Sequence, residues 1–165
     1  MKSEYFYDVY LAGPFFTDEQ KRVMDHAKEE CFKHGIKVCD PRDLNPVLVD
    51  MAPEERKKHT RNIFLSNITA MRDSFMLLAC IDDRDTGTAF ELGYFYSLGD
   101  RPMATFSDKG YGCNVMLSEA ADFHWPTVEE MSWGMMMSRG RIHSREPGFK
   151  DWLRRFSSNK AEATE

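Results

Sequence analysis

The 165-residue chain carries 22 Lys and Arg against 27 Asp and Glu, a net charge of -5, and 42 % of its residues are hydrophobic. That length supports one sizeable core rather than two, and the acidic balance argues against a general nucleic-acid binder, which needs clustered cations to displace counterions from phosphates. No window approaches the roughly 20 apolar residues of a membrane span, and Met1 to Tyr5 lack a signal-peptide pattern, so a cytoplasmic protein handling small neutral ligands is expected.

Tyr7 to Ala12 read as a first strand, broken by Gly13-Pro14. Thr17-Asp18-Glu19-Gln20 is a capping-box start, after which Val23, Met24, Ala27, Cys31 and Phe32 recur at helical spacing until Gly35. A short strand is expected at Ile36 to Cys39. Asp40 to Met51 hold Pro41 and Pro46 without a period, which predicts a loop or lid over a ligand site. Pro53 suits the first turn of a helix that is charged at Glu54 to Lys58 and apolar later, at Ile63, Phe64, Ile68 and Met71.

Phe75 to Ile81 form an apolar run expected as a buried strand, with a turn at Asp83 to Gly87. Thr88 is then expected as the N-cap of the next helix, and Glu91 completes a T-x-x-E capping box. Pro102 to Phe106 read as a strand, and Asn114 follows a Gly110-Tyr111-Gly112 turn as the N-cap of Val115 to Ala121. This alternation predicts an α/β fold, a mainly parallel sheet with helices on both faces and right-handed crossovers. One domain is expected over residues 1–157, with 158–165 as a flexible tail.

Cys31, Cys39, Cys80 and Cys113 are irregularly spaced and are expected as free thiols. Cys31 and His34 make a C-x-x-H pair near Cys39 but lack a clear fourth metal ligand, so no metal is expected. Met131 to Met137 concentrate flexible apolar side chains with Trp133, which fits either a covered core helix or a subunit interface. Arg139, Arg141, His143 and Arg145 follow; without a second basic patch or a stacking platform they do not make an RNA site.

Three blocks carry more chemistry. They are Tyr10-Leu11-Ala12-Gly13-Pro14-Phe15-Phe16, Asp85-Thr86-Gly87-Thr88-Ala89-Phe90-Glu91-Leu92-Gly93-Tyr94, and Asn114-Val115-Met116. In this order they resemble the nucleoside 2-deoxyribosyltransferase family, and they span Tyr10 to Met116. The resemblance implies a flavodoxin-like (Rossmann-like) fold and transfer of a 2-deoxyribosyl group between nucleobases, with no cofactor. It implies Glu91 as the nucleophile that forms a glycosyl ester and Tyr10 as the residue that orients it. Asp85, Phe16 and Gly13 are implied to bind substrate. Asn114 and Met116 are implied to reach the site of a neighbouring subunit, hence a homo-oligomer with shared active sites.

The residues are compatible with this chemistry. Cleaving an N-glycosidic bond builds positive charge on the sugar, which a carboxylate can stabilise or capture at C1′. A phenol can hold that carboxylate in line, and Phe15 or Phe16, placed after the Gly13-Pro14 strand end, can face a planar base. Read without the resemblance, Glu91 caps its helix, Tyr10 is a strand tyrosine, Asp85 is a turn residue and Asn114 is an N-cap.

The chain also departs from the family pattern. Asn67 stands where a proton-donating aspartate is common and is retained as a substrate-binding residue, although an amide cannot deliver a proton at neutral pH. Either another acid, such as Asp40, Asp43 or Asp82, supplies the proton, or the bases used accept a hydrogen bond only, or the chemistry is altered. Asp83 stands where a glycine is frequent and Phe75 where an aspartate is. Two alternatives stay open: a nucleoside or nucleotide N-glycosidase, in which water takes the sugar, and a non-catalytic nucleoside-binding module.

Overall fold

The computed structural model describes residues 5–45 and 51–162, with side chains up to residue 155. Among the described residues, five parallel strands stand in the order β2-β1-β3-β4-β5. They are β1 (Tyr7–Ala12), β2 (Val38–Cys39), β3 (Ser74–Cys80), β4 (Met103–Phe106) and β5 (Phe123–Trp125). This is the flavodoxin-like order, whose switch point lies between β1 and β3.

The helices are α1 (Asp18–Lys33), α2 (Pro41–Leu44), α3 (Pro53–Arg72), α4 (Thr86–Ser97), α5 (Val115–Ala120), α6 (Val128–Ser144) and α7 (Phe149–Glu162). Alternate residues of β1 and β3 feed two separate cores. Val9, Leu11, Met76 and Leu78 pack with Met24, Ala27 and Cys31 of α1 and with Met131 and Met135 of α6. Tyr10, Ala12, Leu77 and Ala79 pack with Ala70 and Met71 of α3 and with Leu92 and Phe95 of α4. Because both faces are covered, Val9 to Ala12 of β1 and Phe75 to Cys80 of β3 read as continuous apolar runs rather than as alternating ones.

α1 begins as its sequence predicts: Thr17 Oγ1 accepts from Gln20 N at 3.2 Å, and the Gln20 side chain accepts from Thr17 N at 3.0 Å. α4 begins differently. Its N-cap is Asp85, not Thr88; Asp85 Oδ2 accepts from Thr88 N at 2.7 Å and from Thr88 Oγ1 at 2.8 Å. Thr88 is therefore a donor in the first turn, and Glu91 belongs to the second turn rather than to a capping box. The turn before it, Asp82–Arg84, places Asp83 (φ 60°) and Arg84 (φ 54°) in the left-handed region. At Asp83 this is the backbone conformation that favours glycine.

The segment expected as a loop from Asp40 to Met51 opens with α2. Asp40 caps it by accepting from Arg42 N, and Pro41 takes the first helical position. Residues 46–50 of that predicted lid lie outside the described residues. At the C-terminal end, the α7 backbone is helical to Glu162, past residue 158 where the tail is expected, and residues 163–165 are outside the described set.

The α6 cluster divides between the two roles weighed for it. Met131 and Met135 are buried, whereas Trp133, Met136 and Met137 are exposed. Two of the cations that follow are engaged within the fold: Arg145 Nη1 meets Asp8 Oδ1 at 2.5 Å, and Arg141 covers the Trp152 ring at 4.5 Å. Among the described residues, no helix is long and apolar enough to cross a membrane, and no three His, Cys, Asp or Glu converge to hold a metal ion. Cys31 is buried in the first core, and burial pushes its thiol up to about 12.

Candidate functional site

In open parallel sheets ligands bind beyond the carboxyl ends of the strands at the switch point, here the ends of β1 and β3. Tyr10, fully buried in β1 and paired with Leu77 of β3, projects onto the sheet face covered by α3 and α4. On α4, Thr88, Leu92 and Phe95 are buried at i, i+4 and i+7, and Glu91 adjoins that stripe. The two side chains meet: the Tyr10 hydroxyl donates to Glu91 Oε1 at 2.6 Å.

This environment sets the chemistry of Glu91. Burial lifts its carboxyl to about 7, the Tyr10 hydrogen bond pulls it down, and the charge of nearby Asp85 adds a further upward push. The Tyr10 phenol is driven well above its ordinary range by burial and by the Glu91 charge, so it stays protonated and acts as a donor. A carboxylate with one oxygen held by a neutral donor keeps its other oxygen for a bound molecule. Its raised basicity makes it a better nucleophile once ionised.

A cavity of about 570 Å³ opens on the α5 side of α4, lined by Arg84, Asp85, Thr88, Tyr111, Cys113 and Asn114 among others. Asp85 and Asn114 are thus brought together. Asn114 is the N-cap of α5, its Oδ1 accepting from Leu117 N at 3.0 Å, as the sequence predicts. Glu91 lies around the helix from this cavity, on the side where Phe90 packs on Phe64 of α3 and Tyr94 accepts from Arg72 Nε. Within one chain, then, Glu91 meets Tyr10 and stands outside the cavity lining that Asp85 and Asn114 share, although Asp85 is near enough for its charge to act on Glu91.

The remaining residues fall elsewhere. Met116 and Phe16 are exposed, at 74 % and 71 %. Gly13 is buried, and a Cβ there would stand 2.3 Å from Met24 Sδ and 3.1 Å from Cys80 Cβ. Its small size is needed for the close approach of α1 to the end of β1. Phe15 is half-buried against the first core with the Arg42 guanidinium 4.8 Å from its ring centre.

Asn67 is half-buried on α3 and accepts at Oδ1 from Asn45 Nδ2 at 2.8 Å. Asn45 Nδ2 also donates to Pro41 O at 3.1 Å, and a backbone carbonyl can only accept, so the orientation of both amides is set. Sequence reasoning did not single out Asn45, which sits in a stretch without periodicity. Nor did it find Thr105, His124 and Cys113, which meet beside the cavity: Thr105 Oγ1 is 2.9 Å from His124 Nδ1 and 3.2 Å from Cys113 Sγ.

The acids considered as alternative proton donors are engaged as acceptors. Burial pushes the Asp40 carboxyl up, but hydrogen bonds and charge from Arg42 and Lys28 outweigh it and hold the group below its ordinary range. Asp43 pairs with Lys28 Nζ at 2.7 Å. Asp82 accepts from Ser107 Oγ at 2.5 Å and from Asp108 N at 3.0 Å, which joins the end of β3 to the loop after β4.

Comparison with known proteins gives a consistent result. The sequence profile described as nucleoside 2-deoxyribosyltransferase matches residues 9–125. Among solved structures, the chain is similar to a 2-deoxyribosyltransferase from the psychrotolerant bacterium Bacillus psychrosaccharolyticus, at 28 % identity and a TM-score of 0.64 over 75 % of this chain and 89 % of that one. No curated protein sequence gives a significant match.

Proposed function

Because the chain belongs to the nucleoside 2-deoxyribosyltransferase family, we propose that it exchanges nucleobases on 2-deoxyribose through a glycosyl ester of Glu91. The observation that carries this reading is the 2.6 Å hydrogen bond from Tyr10 to Glu91 at the switch point of the sheet. In the first step a Glu91 carboxylate oxygen bonds to C1′ while the bond from C1′ to the base nitrogen breaks, and its electron pair leaves with the base. In the second step a nitrogen of another base bonds to C1′ and the Glu91 carboxylate departs, so configuration at C1′ is retained. No metal or organic cofactor takes part.

Asp85 and Asn114 hold sugar hydroxyls, and Phe16 and Gly13 border the base. Asn67, anchored through Asn45, offers its amide N–H to an acceptor atom of the leaving base. The base therefore departs against a hydrogen bond rather than a delivered proton, which suits bases that leave readily. The exposure of Asn114, Val115 and Met116 supports a homo-oligomer in which these residues complete a neighbour's site. The substrates are deoxynucleosides and nucleobases, with no nucleic-acid or membrane partner.

The test is incubation with deoxyuridine plus adenine, and separately with deoxyuridine alone, followed by chromatography of bases and nucleosides. Deoxyadenosine in the first reaction supports base exchange. Uracil and free deoxyribose in equal yield with and without adenine would assign a hydrolase instead, and no turnover would leave a binding module. Specific activity should fall on dilution if sites are shared; full activity in a species of monomeric mass by light scattering contradicts sharing.

A further inference from the structure

We propose that Asn45 is a positioning residue that fixes Asn67 as a hydrogen-bond donor to the base, so that the site selects bases carrying a lone pair, not an N–H, at the edge Asn67 meets. This rests on the reading of a nucleoside site around Glu91 and adds to it the class of base accepted.

The polarity is set by a chain of bonds between α2 and α3. It starts at the Pro41 carbonyl, which can only accept and stands 3.1 Å from one amide atom of Asn45. That atom is therefore Nδ2, and its other hydrogen goes to Asn67 Oδ1 at 2.8 Å. Turning the Asn45 amide over would set its oxygen against the Pro41 carbonyl. The far side of the amide agrees, since the Ser66 hydroxyl, which can donate, stands 2.5 Å from Asn45 Oδ1. With its oxygen engaged, Asn67 presents Nδ2, which meets no acceptor among the described residues. An amide free to turn could donate or accept; held this way it donates only.

The fold brings this donor toward the Tyr10 and Glu91 pair. Tyr10 pairs with Cys39 at the end of β2, and α2 begins two residues later at Pro41, so α2 stands at the carboxyl edge of the sheet beside β1. On α3, Phe64, Asn67 and Met71 follow the i, i+3, i+7 spacing of one helix face. Met71 packs in the same core as Tyr10, and the Phe64 ring packs on Phe90, the neighbour of Glu91. Asn67 thus shares the α3 face that turns toward Tyr10 and α4, and both Asn67 and Glu91 are half-buried, open to a bound molecule.

The test measures exchange from deoxyuridine onto adenine and onto its 3-deaza and 7-deaza analogues, in which C–H replaces a ring nitrogen that accepts. The readout is the ratio of kcat/KM for adenine to that for each analogue. For one analogue the ratio should be about ten-fold larger in the wild type than in Asn67→Ala, the worth of one hydrogen bond. Asn45→Ala frees the amide and should lower the ratio. In Asn45→Asp a carboxylate accepts from Asn67 Nδ2 and turns Asn67 Oδ1 to the base, so the ratio should fall to the Asn67→Ala value or below. If that protein does not fold, Asn45→Ala carries the test. A residue that only supported the fold would slow all three bases alike and leave the ratios unchanged.

The side-chain amide resonances of Asn67, assigned in the isotopically labelled full chain by their loss in Asn67→Ala, read the same bond without turnover. They should move downfield when adenine or uracil is added to the wild type. In Asn45→Asp they should stand downfield before any base is added and move no further. Ratios untouched by the Asn45 substitutions, or Asn67 resonances that stay still with both bases, would overturn the proposal. A chain that shows these shifts yet exchanges no base would instead remove transfer by Glu91 and leave the donor role of Asn67 standing.

Discussion

The Tyr10 hydroxyl and the Glu91 carboxyl, 81 positions apart in sequence, are joined by a 2.6 Å hydrogen bond that ties the middle of β1 to the second turn of α4. Tyr10 is fully buried and its ring packs in the second core, so the donor is held by the same contacts that hold the sheet. The carboxyl it meets is lifted to about 7 by burial even with this bond in place.

Tyr10→Phe keeps the ring and removes the donor that pulls Glu91 down, so the Glu91 pKa should rise further. The acidic limb of the pH profile for kcat/KM, expected near pH 7 in the wild type, should move to higher pH. Activity at pH 7 should fall roughly 10- to 100-fold, the worth of one hydrogen bond to a charged group. An acidic limb that does not move would show that Glu91 ionisation is not what the profile reports.

Glu91→Gln should abolish transfer and stabilise the fold above neutral pH. A carboxyl whose folded pKa stands near 7 against about 4.5 unfolded binds more protons when folded, so its contribution is fully present below about pH 4.5 and is lost as pH rises through 7. At pH 8 the glutamine variant should be more stable by up to about 3 kcal/mol, and at pH 4 by nothing from this source. Urea unfolding at both pH values measures it; a pH-independent difference would contradict the burial of that charge.

Asp85 carries two roles that substitutions can separate. Asp85→Asn keeps an acceptor for Thr88 N and should retain most of the stability, while Asp85→Ala should cost about 1 kcal/mol through loss of the helix cap. Both remove a charge that raises Glu91, so in both the acidic limb should shift slightly downward. Turnover equal to wild type in Asp85→Asn at saturating substrate, with KM unchanged, would remove Asp85 from sugar binding.

Gly13→Ala should destabilise the fold by about 1–3 kcal/mol, because its methyl would stand 2.3 Å from Met24 Sδ. In a Met24→Ala background the same change should cost less, since the larger obstruction is gone and only the 3.1 Å approach to Cys80 Cβ remains. Additive losses would place the strain elsewhere. Activity that falls in Gly13→Ala but returns in the double variant would identify the effect as packing rather than direct substrate contact.

Asn67→Asp should raise turnover of poor leaving bases in the range where the new acid is protonated and leave good leaving bases nearly unchanged. The Asn45 hydrogen bond survives the change, because an aspartate oxygen still accepts from Asn45 Nδ2. No gain at any pH, alongside loss of activity on substitution of Asp43, would return the proton donor to that acid.

Much of the fold was legible in local pattern. Largely apolar runs closed by Gly13-Pro14 or by acidic turns gave β1 its exact bounds and β3 to within one residue, and Thr17 announced α1. The cap of α4 was not legible, because Asp85 and Thr88 are both good N-caps three residues apart. What decides between them is a pair of left-handed non-glycine residues, Asp83 and Arg84, that no local propensity indicates. α2 was hidden because four residues are too few to show a period, although Asp40 and Pro41 are a cap and a first-turn proline. At the site, the motif made the Tyr10 and Glu91 pairing an expectation. The Asn45 and Asn67 pair and the Thr105, His124 and Cys113 contact join residues from different elements and loops, whose meeting depends on the packing of those elements.

The strand order has a consequence for how the protein folds as it is made. Of the sheet's described strands β1 comes first along the chain yet ends between β2 and β3, so its backbone groups find partners on one side only after α1 has emerged and on the other only after α3 has. Until then Val9 to Ala12 expose apolar side chains on both faces and two unpaired edges, the kind of segment that associates with other nascent chains. The finished sheet reverses the situation. Its outer strands, β2 and β5, are two and three residues long, too short to template a further strand from another molecule. Aggregation should therefore threaten this protein during synthesis and refolding far more than in its native state.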